Sequence, residues 1–213
     1  MTSTPSIDER LLAAQVATGN ALSDPDILTA LTAYGYDAAR ITIGKNLTDD
    51  VSDLNTKQKK EYGEQYEATE TLRTAWNIAD KAYMKTLKIA RIALRDNVMA
   101  QNALGLNGIR KKSISGWLEQ AGRFYQNLLA DSGMIDELTN FGYTTEKLQA
   151  ENVLIDAVRD ANMAQEKEKG EARDATEKRD AKLDEMDRWM SDFKQIALIA
   201  LEDNPQWLDK LGF

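Results

Sequence analysis

The chain has 213 residues and a formal net charge of −8. That balance repels phosphate backbones and anionic lipid, so neither nucleic acid nor a membrane surface is an expected partner. The absence of both histidine and cysteine excludes disulfides, Cys/His zinc sites, Ser-His-Asp and Cys-His catalysis, and the Glu-x-x-His ligands of the usual di-iron bundles.

Three prolines and twelve glycines favour long helices over turn-rich β architecture. The opening residues, Met1–Leu12, have no basic segment followed by an apolar run, so no secretory leader is expected. No apolar run approaches the ~20 residues of a membrane helix. A cytoplasmic location is the default expectation.

The first helix is expected from about Ile7 to Leu22, with Leu11, Leu12, Ala14 and Val16 as its apolar stripe. Asp24 before Pro25 reads as an N-cap with proline at the first helical position, opening a short helix to about Ala33. Gly35, between Tyr34 and Tyr36, suits a left-handed C-terminal cap with the following aromatic folded back. Asp37 can cap the next segment. From Ala38 to Asn97 there is no proline, and apolar residues step by three and four through Leu47, Val51 and Leu54, then Leu72, Trp76, Ala79, Tyr83, Leu87, Ala90 and Leu94.

Between these blocks lies a polar centre with Gly63. One reading is a continuous helix of some 60 residues. The other turns a helical hairpin at the glycine. An outward glycine costs a helix about 1 kcal/mol relative to alanine, and ordinary helix lengths are far shorter, so the hairpin is favoured. Asn97 can cap a final short helix closed by Leu104-Gly105-Leu106.

The same order then repeats. Displaced by 107 positions, Ser6–Leu106 aligns with Ser113–Phe213 without a gap, and 34 of the 101 pairs are identical. The second copy repeats the glycine at Gly170 and the "FGY" cap at Phe141-Gly142-Tyr143. Thr144 and Asn204 stand as further caps, with Pro205 opening the last helix. The expected domains are residues 6–106 and 113–213, joined by a linker at 107–112. The expected fold is all-α, an elongated antiparallel bundle of coiled-coil-like hairpins from two tandem copies of one unit.

Several side chains are candidates for chemistry. Glu61 and Glu64 match Glu168 and Glu171, and such carboxylates can hold a divalent cation, although surrounding lysines favour a solvated helix. Asp49, Asp53 and Lys60 match Asp156, Asp160 and Lys167, forming a polar stripe opposite the apolar one and a candidate interaction surface. Gln58 and Gln165 fall at core-like positions. The basic run Ile109–Ser113 reads as a solvated linker, with anion binding as the alternative. Trp76, Tyr83, Trp189 and Phe193 would line a small-ligand cavity between the units.

Ala200–Phe213, with Gly142–Thr144 and Ala175–Asp180, resembles segments of uncharacterised bacterial all-helical proteins. That resemblance implies no activity and no site residues. The expectation is a non-enzymatic structural or interaction module that self-associates, with no cofactor and no small-molecule substrate. A ligand-carrying bundle and a carboxylate metal site are the alternatives.

Overall fold

The computed structural model describes residues 5–213. Residues 1–4, part of the stretch read as lacking a leader, lie outside the described residues. The described residues form helices α1 (Ile7–Ser23), α2 (Pro25–Thr32), α3 (Ala38–Ala93), α4 (Val98–Ala103), α5 (Ile114–Leu129), α6 (Ser132–Thr139), α7 (Thr145–Ala200) and α8 (Gln206–Leu211). They contain no strand, so the chain is all-α. No helix among them is long and apolar enough to cross a membrane.

Local chemistry sets the helix ends. Ser6 and Glu9 make a capping box: Glu9 N donates to Ser6 Oγ, and Ser6 N donates to Glu9 Oε2 at 2.7 Å. These bonds hold the Glu9 carboxyl below its usual range. Asp24 accepts from the backbone N–H groups of Asp26 and Ile27, and Pro25 begins α2. Asp131, Asn97 and Ser113 cap α6, α4 and α5 in the same way. Gly35, Gly105, Gly142 and Gly212 all have positive φ. Beyond each, the chain folds back: Tyr36 N donates to Leu31 O and Tyr143 N to Leu138 O, which buries both tyrosines. One expected cap is different. Asn204 does not cap α8, whose N-cap residue is Pro205 with no side-chain hydrogen bond.

Neither long segment turns back at its glycine. α3 and α7 are each continuous helices of 56 residues, which corrects the hairpin expectation. Gly63 and Gly170 are exposed, and a Cβ on either would meet nothing within 4 Å. The lost propensity of about 1 kcal/mol per glycine is small beside the backbone bonds and side-chain packing that a break would forfeit.

Two compact units result, and their boundaries fall at these glycines. The first contains the chain up to Gly63 together with Gly170–Phe213; the second contains Glu64–Lys169. Each unit therefore takes one half from each sequence copy. The first holds α1, α2, the start of α3, the end of α7, and α8. Its core runs from Ala17, Ile27, Leu31 and Tyr36 to Phe193, Ala197, Leu201 and Leu211, and continues through Leu11, Ala14, Val51, Leu183 and Met186. The second holds the end of α3, α4, α5, α6 and the start of α7. Its core gathers Ala79, Tyr83, Leu87, Trp117, Phe124, Tyr125, Leu138 and Val158. Leu12 and Val16, expected on the core stripe of α1, face outward instead, while Ala17, Thr18 and Ala21 are buried.

Two measurements check this arrangement. Gly63→Ala with Gly170→Ala should raise the melting temperature, because alanine favours helix by up to about 1 kcal/mol per site and meets no neighbour. A lower melting temperature would show that the backbone needs the glycines. Cleavage at an inserted protease site between Gly108 and Ile109 should leave both fragments together in a particle of the same mass as the uncut chain, without loss of helicity, since neither fragment contains a whole unit. Fragments that separate under native conditions would contradict the shared units.

Candidate functional site

Between Thr71–Lys88 and the equivalent Lys178–Gln195, one residue is identical in both copies: Asp80, matched by Asp187. The structure supplies the reason. In the second unit, Trp117 Nε1 donates to Asp80 Oδ1 at 2.7 Å. In the first, Arg10 Nε donates to Asp187 Oδ1 at 3.1 Å, and its guanidinium makes an ion pair with the same carboxylate. Arg10 and Trp117 are themselves equivalent positions. The carboxylate thus ties the first helix of one copy to the long helix of the other, with a different donor in each unit.

A buried polar network in the second unit has no such twin. Thr86 Oγ1 and Tyr125 Oη both donate to Glu151 Oε2, at 2.5 and 2.9 Å. Burial first, and the nearby Glu151 charge second, push the Tyr125 phenol well above its usual range. The equivalent positions in the first unit are Phe193, Thr18 and Gly44. There Thr18 bonds its own helix at Ala14 O, and Gly44 leaves room for an indole. A Cβ on Gly44 would overlap the Trp189 ring carbons. Trp189 stacks on Phe193 at 5.0 Å, and Tyr36 packs on both rings. One unit fills this layer with hydrogen bonds and the other with aromatic rings.

The second unit also carries a cleft of about 410 Å³. One wall is α3, with Trp76, Asn77, Asp80, Tyr83 and Met84; the other is the Arg110–Lys112 segment and Trp117. Trp76 meets Trp117 edge-on at 6.0 Å. The connecting segment is exposed, as its composition suggests, but its backbone is held in place. Arg110 donates to Tyr83 Oη at 2.6 Å and to the carbonyls of Gly105 and Gly108. Gln120 accepts from Lys111 N and donates to Ile109 O. This clamp holds Lys111 and Lys112 at the rim of the cleft. Arg110 beside it partly offsets the effect of burial, but the Tyr83 phenol still lies above its usual range.

The candidate residues fall as follows. Glu61 and Glu171 belong to the first unit and line one groove with Lys57, Asp174 and Lys178. Glu64 and Glu168 belong to the second unit, where Glu168 pairs with Lys167 at 3.1 Å. Asp49, Asp53, Lys60, Asp156, Asp160 and Lys167 all face solvent. Asp49 pairs with Lys45 and Asp156 with Arg159. Gln58 and Gln165 are half-buried. Trp76 and Tyr83 pack with Trp117 in the second unit, whereas Trp189 and Phe193 pack with Tyr36 in the first.

Comparison with protein-family models, with curated proteins and with solved structures finds no match.

Tyr125 supports a prediction in alkali. Its folded pKa lies above the unfolded value of about 10, so the contribution to stability is complete below that pH and is lost as the pH rises beyond it. The melting temperature should fall above about pH 10, and Tyr125→Phe should make that fall shallower. An unchanged slope would show that this phenol is not held protonated by the fold.

Proposed function

We propose that the chain is a non-enzymatic interaction module: a duplicated helical unit, packed as antiparallel helices, that associates with further copies of itself. The observation that carries this reading is a pair of outward apolar side chains repeated in both compact units. The first unit presents Tyr34 and Ile199, exposed by 48 % and 50 %; the second presents the equivalent Phe141 and Ile92, exposed by 45 % and 48 %. Neighbouring outward positions have diverged freely, as in Arg91 against Leu198 and Arg95 against Glu202.

Single exposed apolar residues are ordinary. An exposed aromatic and an exposed isoleucine kept at equivalent places on both units make two like sets of outward apolar groups. A chain with two like surfaces is bivalent, and bivalency towards its own kind yields closed oligomers or open assemblies. The charges Asp49, Asp53 and Lys60, with their counterparts Asp156, Asp160 and Lys167, are likewise identical and outward, and they suit a polar rim around such contacts. The lack of histidine and cysteine favours a role without catalysis.

Mass in solution tests the reading. Light scattering should give a mass above 23.8 kDa that rises with concentration. Ile92→Glu with Ile199→Glu should return it to the monomer value without changing helicity. A wild-type chain that stays monomeric at every concentration would overturn the proposal, as would an assembly indifferent to both substitutions.

A further inference from the structure

We infer that the cleft of the second unit is a binding site for a small anionic molecule with a flat aromatic body, a ring system bearing a carboxylate or phosphate. The juxtaposition that carries this is one half-exposed indole and two lysines on a held backbone, sharing one cleft. Trp76 provides the apolar face, backed edge-on by the buried Trp117 ring, and Lys111 and Lys112 provide positive charge at the rim.

The geometry is built in advance. Arg110 and Gln120 fix the backbone that bears the lysines, so a ligand has only the lysine side chains left to order. Among the described residues neither lysine makes an ion pair within the chain; the Asp80 carboxylate accepts from Trp117 Nε1–H and keeps its charge, but Arg110, Lys111 and Lys112 outnumber it on the lining. The cleft is therefore a cationic patch on a chain of net charge −8. Its volume of about 410 Å³ lies within the ~300–1,000 Å³ of small-molecule sites. Aromatic faces beside ammonium groups suit a ring that stacks while its anionic substituent meets the lysines.

The other copy shows that the fold does not need this lining. Trp76 is matched by Leu183, Tyr83 by Met190 and Trp117 by Arg10, and Arg110-Lys111-Lys112 is matched in sequence by the uncharged Ser3-Thr4-Pro5. Leu183 is buried in the core of the first unit, so a leucine is a structurally tested replacement at this helix position. The aromatic and basic groups belong to one unit alone, independently of the repeated surface proposed for self-association.

Titration of the full chain with 1-naphthyl phosphate, followed by the indole N–H resonances, tests the site. The signals of Trp76 and Trp117 should shift saturably, while those of Trp189 and Trp207 stay in place. 1-Naphthoate should give the same pattern, and inorganic phosphate and 1-naphthol should bind far more weakly. Adenosine monophosphate, run in parallel, distinguishes a nucleotide from a simple aromatic acid as the source of the chemistry. Lys111→Glu with Lys112→Glu should weaken binding by at least about tenfold, the loss expected from reversing two rim charges. Trp76→Leu should remove the stacking contribution and leave the melting curve unchanged. No shift at Trp76 and Trp117, larger shifts at Trp189 and Trp207, or equal affinity in the charge-reversed variant would overturn the assignment.

Discussion

Gly63 and Gly170 leave the backbone hydrogen bonds of α3 and α7 unbroken, and the rest of the architecture depends on that continuity. A segment that turned at the glycine would bring Leu47–Leu54 back upon Leu72–Leu94 and close each copy on itself. A segment that continues carries its two apolar blocks away from one another. Each block must then find its partner elsewhere, and the opposite block of the other copy supplies it: the start of α3 shares a unit with the end of α7, and the end of α3 with the start of α7. The division of compact units at Gly63/Glu64 and Lys169/Gly170 is the consequence. The energetic decision is lopsided: a glycine costs a helix about 1 kcal/mol, while turning the helix would strand several backbone groups at each new end.

With that exchange in place, the two units face the same packing problem with different side chains. At the layer of Asp80 and Asp187 both keep the carboxylate and change the donor, from indole to guanidinium. At the next layer the second unit sets buried Thr86 and Tyr125 on the half-buried Glu151 carboxylate, while the first uses Phe193, Gly44 and the Trp189 ring. The substitutions are coupled. Without Glu151, a buried phenol would lose its acceptor, so position 125 and its acceptor must change together. Without Gly44, the Trp189 ring has no place. Networks of this kind are stable when every member is satisfied and costly when one is missing, which explains why neither unit shows an intermediate form.

Much of this was legible in the residues. Helical class, capping at Asp24 and Asn97, and the left-handed glycines before Tyr36 and Tyr143 are local features, set by chemistry within a few positions. The three-four spacing named most of the buried face of α3. What escaped was non-local. Leu12 and Val16 are apolar, and only the neighbours brought in by folding decide that Ala17 and Ala21 are covered instead. Gly63 resembled a turn because its local cost is visible in sequence and the compensating continuity is not. Asn204 resembled its counterpart Asn97, but Pro205 after it takes the N-cap place of α8, and Asn204 itself makes no capping bond. Ile109–Ser113 is exposed as its composition implies, but the bonds that hold it come from Gln120 on α5 and Tyr83 on α3, which composition does not show.

Equivalence between the copies separates two kinds of surface. A residue that is identical and outward in both units, such as Ile92 with Ile199, has been kept where the unit's own packing does not require it, and both units share whatever keeps it. A feature confined to one unit has the opposite history. Trp76 replaces a leucine that serves well as core in the other unit, and the lysines at the rim stand where the other copy has uncharged residues. Packing alone supplies no reason for the second unit to place an indole and two ammonium groups around an open cleft, since the first unit completes its core without them. The shared surface therefore fits a property of the whole duplicated chain, and the unshared cleft fits a property that only one half acquired.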